Sequence, residues 1–161
     1  MKKKNGFTLI ELMVILAVIA IVAAFGMPKL SGIIQRNRII SDANILTVTL
    51  GYARSEAVKR GRPVNVSAVD DTVNWSGGYR VYIDAPPTDG LFAADEKKLR
   101  EVNKTNTPNL NISAASANDI IFEADGTMRA TSGQPIVITE SGNNIFTLTI
   151  SEIGHITLSK E

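Results

Sequence analysis

From Leu12 to Met27 every residue is apolar, alanine or glycine, and this run is preceded by Lys2, Lys3 and Lys4 and by a single glutamate, Glu11. Counted from Phe7, the stretch approaches the roughly 20 residues a helix needs to cross a bilayer core. Basic residues ahead of such a span are retained on the cytoplasmic side, so the remainder of the chain is expected to face outward. A secretory signal has a different layout, with an apolar region of about 7 to 15 residues and a small-residue cleavage site after it. Here the small residue, Gly6, stands before the run. A cut after Gly6 would remove only the basic leader, and the mature chain would start at Phe7 with Glu11 as its fifth residue.

That glutamate needs a reason. An ionisable side chain within a bilayer costs about 2.5 to 3.5 kcal/mol by analogy with aspartate, and it demands a partner or a function. In an ordinary signal anchor, Glu11 would snorkel to the interface beside the lysines. The alternative partner is a cationic amine on a neighbouring chain. A buried ion pair of that kind need not add net stability, but its geometry penalises wrong registers.

The segment Gly6-Phe7-Thr8-Leu9-Ile10-Glu11 resembles the processing motif of type IV pilins and type II secretion pseudopilins. The resemblance implies a prepilin peptidase that cuts between Gly6 and Phe7 and methylates the amine of Phe7. It also implies that Glu11 pairs with the amine of an adjacent subunit and sets the axial register as the subunit leaves the membrane.

Composition narrows the other function classes. The chain has 161 residues, room for one terminal membrane segment and one modest domain. Its 17 basic and 16 acidic residues give a net charge of +1, and without the three leading lysines 14 basic residues face 16 acidic ones. This argues against a generally basic nucleic-acid binder and leaves room for a local basic patch. With no cysteine and one histidine, His155, there is no disulfide, thiolate site, cysteine nucleophile or two-imidazole zinc site. No catalytic residue, metal or cofactor is expected. Asp70, Asp71, Asp89, Asp95 and Glu96 read as solvated turns ahead of calcium ligands. Ser151, Glu152 and His155 lack the context of a nucleophile elbow.

Beyond the apolar run, Gly26 and Pro28 predict a bend or melted turn, because proline removes a helical donor and glycine loosens the backbone. They read equally as an extension joint or as the point where the helix leaves lipid. Ile39, Ala43, Leu46, Leu50, Ala53 and Ala57 then recur at four- and three-residue steps as one apolar stripe. Arg36, Arg38, Arg54, Glu56, Lys59 and Arg60 mostly occupy other faces, and Gly61 and Pro63 stop the helix. One long helix is expected from about Phe7 to Arg60, kinked near Gly26, its outer half resting on a domain.

Residues 63–69 and 79–83 alternate apolar and polar side chains, each able to bury one face. The sequence IIFEADGTMRA predicts a hairpin turning at Asp125-Gly126, IFTLTISEIGHITLS a second turning near Glu152 to Gly154, and residues 135–139 a further strand. Residues 84–97, with Pro86, Pro87, Asp89 and Gly90, and residues 103–119, rich in Asn, Thr, Ser and Ala, read as solvated connectors ahead of partner-reading loops. Trp75 and Tyr79 around Gly77-Gly78 read as a turn with aromatics packed into the sheet, ahead of a stacking platform. The fold expected is α+β: a long N-terminal pilin helix packed on a mainly antiparallel two-sheet β domain. The expected boundaries are a leader at 1–6, the membrane half of the helix at 7–29 and a periplasmic domain at 30–161. The last divides into an amphipathic helix half over about 30–60 and a β domain over about 63–161.

The stretches ARSEAVKRGRPV, WSGGYRVYID, IIFEADGTM and ISEIGHITLSK are similar to the GspH, FimT and FimU branch of minor pilins and minor pseudopilins, most of all to FimU. That resemblance implies a tip-associated complex with other minor pilins that primes pilus assembly for twitching motility and attachment. It implies as partners the major pilin, the prepilin peptidase and the inner-membrane assembly platform. The subunit would start in the inner membrane with its N-terminus cytoplasmic and its domain periplasmic, and end in the pilus at the cell surface. Two alternatives stay open, a minor pseudopilin of type II secretion and a DNA-uptake pilin of FimT type. The FimT subgroup carries Gly-Arg-any-Arg near the C-terminus, whereas Gly154-His155-Ile156-Thr157 holds neither arginine.

Overall fold

The computed structural model describes residues 6–70, 74–83, 92–93, 96–103, 110–114, 119–129, 136–140 and 143–160, apart from the side chains of 24–30, 114, 143 and 144. The chain divides into two compact units, residues 1–38 and 39–161. Lys2, Lys3, Lys4, Asp71, Pro86, Pro87, Asp89, Gly90, Asp95 and Pro135 lie outside the described residues.

Helix α1 spans Leu9–Arg60 and is helical through Gly26 and Pro28, with no melted turn between them. It ends as Gly61 and Pro63 require. Gly61 adopts φ 63°, its N–H reaches Val58 O at 3.3 Å and the Arg62 N–H reaches Ala57 O at 3.3 Å. This paired arrangement caps the last carbonyls, and the left-handed residue in it favours glycine.

Among the described residues of the second unit, eight strands form two antiparallel four-stranded sheets. The first has the order β3-β2-β1-β5, from β1 (Val64–Ala68), β2 (Gly78–Ile83), β3 (Lys97–Asn103) and β5 (Asp119–Phe122). The second has the order β4-β6-β7-β8, from β4 (Leu110–Ala114), β6 (Ile136–Glu140), β7 (Asn143–Ile150) and β8 (Ile156–Lys160). All six residues of the predicted helical stripe, Ile39 to Ala57, are buried in one core with Val64, Val66, Tyr79, Val81, Ile112, Phe122, Ile138 and Leu148. The helix and both sheets therefore share one apolar interior. Burial of each valine, leucine or isoleucine among them contributes about 1.5 to 3 kcal/mol.

Two expectations need correction, and one charged residue is more buried than its type suggests. Residues 103–119 are not merely a connector, because β4 lies within them and buries Leu110 and Ile112. Polar composition hid a short alternation. Glu56 lies off the apolar stripe, as read, and is nonetheless only 7% exposed, held by Arg60 at 2.6 Å and Lys59 at 3.7 Å. The Arg60 hydrogen bond keeps its carboxyl below the usual range. Finally, β1 and β2 bury both faces, including polar Asn65, Ser67 and Arg80. Arg80 donates to Ala68 O at 3.0 Å and Val69 O at 2.8 Å, and its guanidinium lies 4.5 Å from the Phe92 ring centre. Phe92 also meets Tyr82 edge-on at 5.2 Å, so this part of the 84–97 segment is packed on the sheet.

Candidate functional site

Two regions carry the residues singled out by their chemistry: the start of α1 and the junction of the two hairpin turns. At the helix start, Thr8 and Glu11 satisfy each other. The Thr8 N–H and hydroxyl donate to one Glu11 carboxylate oxygen at 2.8 and 2.9 Å, and the Glu11 N–H reaches the Thr8 hydroxyl at 3.3 Å. This is a capping box, in which threonine and a glutamate three residues on each cover an otherwise orphaned backbone donor. The Thr-x-x-Glu spacing is the signature of this box in the sequence.

Around this cap the helix is apolar on every side. Phe7 is 82% exposed, and Leu9, Ile10, Leu12, Met13, Val14, Ile15, Leu16, Val18, Ile19, Ile21 and Val22 are all exposed. A helix hydrophobic all round belongs in a large core or a membrane, and an uncovered apolar surface of this kind marks an interaction site. Among the described residues, no helix is long and apolar enough to cross a membrane. The side chains of Gly26 and Pro28 fall outside those residues.

The hairpin turns form where predicted, and they have one design. In Glu123–Thr127, the Gly126 N–H reaches Glu123 O at 2.9 Å and the Glu123 N–H reaches Thr127 O at 2.8 Å. In Ser151–His155, the Gly154 N–H reaches Ser151 O at 2.7 Å and the Ser151 N–H reaches His155 O at 2.9 Å. Each is a three-residue loop closing on a left-handed glycine, with φ 83° at Gly126 and 76° at Gly154. Arg54 of α1 ties the two together, donating to Gly126 O and Ile153 O at 2.9 Å each. The Met128 N–H adds a bond to Glu152 O at 2.9 Å. The Thr127 hydroxyl and amide hold the Asp125 carboxyl below its usual range.

This geometry assigns the remaining candidates. Gly154 is required by packing, since a Cβ there would lie against Gly126 O and 2.8 Å from Arg54 Nε. The Ser151 hydroxyl accepts the backbone N–H of His155 at 3.1 Å, which is turn chemistry. Trp75 and Tyr79 are buried, with ring centres 5.9 Å apart, and offer no exposed stacking platform. Among the described residues, no group of three or more His, Asp or Glu could hold a metal ion.

Comparison with known proteins matches two family models. The model described as type II transport protein GspH covers residues 42–154, and the prokaryotic N-terminal methylation motif covers residues 1–27. No curated protein matches the sequence. Among solved structures, the type IV minor pilin FimU of Pseudomonas aeruginosa in space group P21 is similar at 30% identity and a TM-score of 0.66, covering 77% of this chain and 90% of that one. The same pilin in space group P65 is similar at 27% identity and a TM-score of 0.58, covering 74% and 90%.

Proposed function

The chain belongs to the GspH family and is a minor pilin or pseudopilin of GspH and FimU type, a structural subunit; from that premise we propose that it co-assembles with other minor pilins in a tip-associated complex that primes type IV pilus assembly. The observation that carries this reading is the α1 start, an uncovered helix that is apolar all round apart from Glu11 and is entered through a matched methylation motif. In this reading the prepilin peptidase cuts between Gly6 and Phe7 and methylates Phe7. Residues 7–29 hold the subunit in the inner membrane, with the leader cytoplasmic and residues 30–161 periplasmic, until the assembly platform moves it into the pilus. Gly26 and Pro28 act as a joint where the helix bends or extends.

Glu11 is the register group. Its carboxylate offers about four acceptor sites, and Thr8 occupies one oxygen. The other oxygen is left to receive a neighbouring subunit's amine, which offsets the cost of a carboxylate in lipid. Thr8 thereby orients the group before its intermolecular partner arrives. The matched family description favours a second reading, a minor pseudopilin of type II secretion that uses the same residues in the same way.

Deletion of the gene, followed by counts of surface pili and of secreted substrate, tests both. Complementation uses wild type and Glu11→Ala. Loss of pili restored by wild type and not by Glu11→Ala is the expected result. Normal pili with lost secretion would select the pseudopilin, and full rescue by Glu11→Ala would remove the register role.

A further inference from the structure

The two sheets have four outer edges, and three of them are closed or guarded. Outside β5, Met128 bridges to Phe122 and the Arg129 N–H reaches Ile121 O at 2.9 Å. Outside β4, Asn74 bridges to Ser113 and the Ile112 N–H reaches the Ser76 hydroxyl at 2.7 Å. Strand β3 carries exposed Lys97, Lys98 and Arg100 and an irregular register against β2. Charged side chains and bulges are the means by which natural edge strands avoid pairing with other chains.

Among the described residues, strand β8 has no bridge outside it and no register shift. It bears one charged residue, Lys160, at its end, and its outward face presents only Thr157 and Ser159. The bond from Ser151 N–H to His155 O fixes the phase of the β7–β8 ladder. Thr157 and Ser159 therefore bond to β7, while Ile156, Leu158 and Lys160 turn their N–H and C=O groups to the open edge. Among the described residues these three make no further hydrogen bond. The core is also unfinished here. Ile156 and Leu158 pack against it only half-buried, and Ile153 in the preceding turn is 70% exposed.

We propose that the outer edge of β8 receives an extended segment of a different pilin subunit as a fifth strand of the second sheet. The proposal rests on the co-assembly reading above. Backbone donors and acceptors of Ile156, Leu158 and Lys160 supply the ladder, and alternate side chains supply the fit. The incoming segment is about five residues long. It carries apolar residues on the side of Ile156 and Leu158, completing their burial, and small uncharged residues on the side of Thr157 and Ser159, which continue the row of Thr147 and Thr149. A charge on that side would find no counter-charge on β8. A second copy of β8 is the poorer occupant. Antiparallel self-pairing needs a two-fold axis, whereas subunits sharing one helix direction in a filament meet through unlike surfaces.

Amide hydrogen exchange on the full chain in detergent, alone and co-purified with co-expressed minor pilins, tests this. In the free chain Ile156, Leu158 and Lys160 should exchange fast while Thr157 and Ser159 are protected. In the complex the first three should slow by at least about tenfold. Leu158→Pro, which removes an outward donor and no bond to β7, should lose the partner, while Leu158→Ala, which keeps the amide, should retain it. Co-purification with the three amides still fast would overturn the edge assignment and leave co-assembly standing. Absence of co-purification would overturn both. Concentration-dependent protection in the chain alone would overturn the assignment in favour of a second copy.

Discussion

Tyr79 illustrates how burial turns a side chain into a pH-dependent element. Its phenol shares a hydrogen bond with Thr49 on α1, and burial pushes its pKa up from 10.0 to about 12. As pH rises the unfolded chain loses this proton first, so stability is intact below pH 10 and declines until about pH 12. Two pH units correspond to about 3 kcal/mol. Denaturant unfolding at pH 9 and pH 12 should show that fall in wild type, and in Tyr79→Phe the tyrosine component should vanish. The left-handed glycines make a sharper comparison. Gly61→Ala meets open space and should cost about 1 to 2 kcal/mol, the price of the backbone conformation alone. Gly154→Ala adds a collision with Gly126 O and Arg54 and should cost more in the same urea titration. Thr8→Val should reduce incorporation into sheared filaments less than Glu11→Ala does, because it removes a positioning hydroxyl and keeps the backbone donor.

The elements were legible wherever pattern and turn chemistry agreed. The stripe from Ile39 to Ala57 shows the full helical period, and both hairpins carry glycine at the left-handed position their loops require. Strand β4 was missed because Leu110 and Ile112 are its only large apolar residues among asparagine, serine and alanine. The outer face of β1 and β2 was misread for the opposite reason. Asn65, Ser67 and Arg80 look solvated by type, yet Phe92 from the connection that follows β2 covers Arg80 and Tyr82. Arg54 was read simply as a charge off the apolar stripe, although its partners lie 72 and 99 residues away. Arg54→Met should destabilise the domain by about 2 kcal/mol in urea, since it strips a charged donor from two turn carbonyls. Arg54→Lys should recover only part of this, lacking the planar fork that reaches both.

For the molecule as a whole, every buried core residue among the described residues lies at or after Ile39. A fragment beginning at Ser31 should therefore unfold in one cooperative transition, with a thermal midpoint within a few degrees of the full chain's, as read by circular dichroism. In the proposed reading the apolar helix before it serves assembly, and none of its described residues joins that core. Local order along the chain settled the N-terminal methylation motif, the long helix, the hairpins and the family, because those depend on spacing between near neighbours. It could not settle which polar groups become buried, that Arg54 joins two turns of one design, or which sheet edge lacks a neighbour among the described residues. Those depend on contacts between residues far apart in the chain, and linear spacing holds no record of a partner that arrives only when the sheets close on the helix.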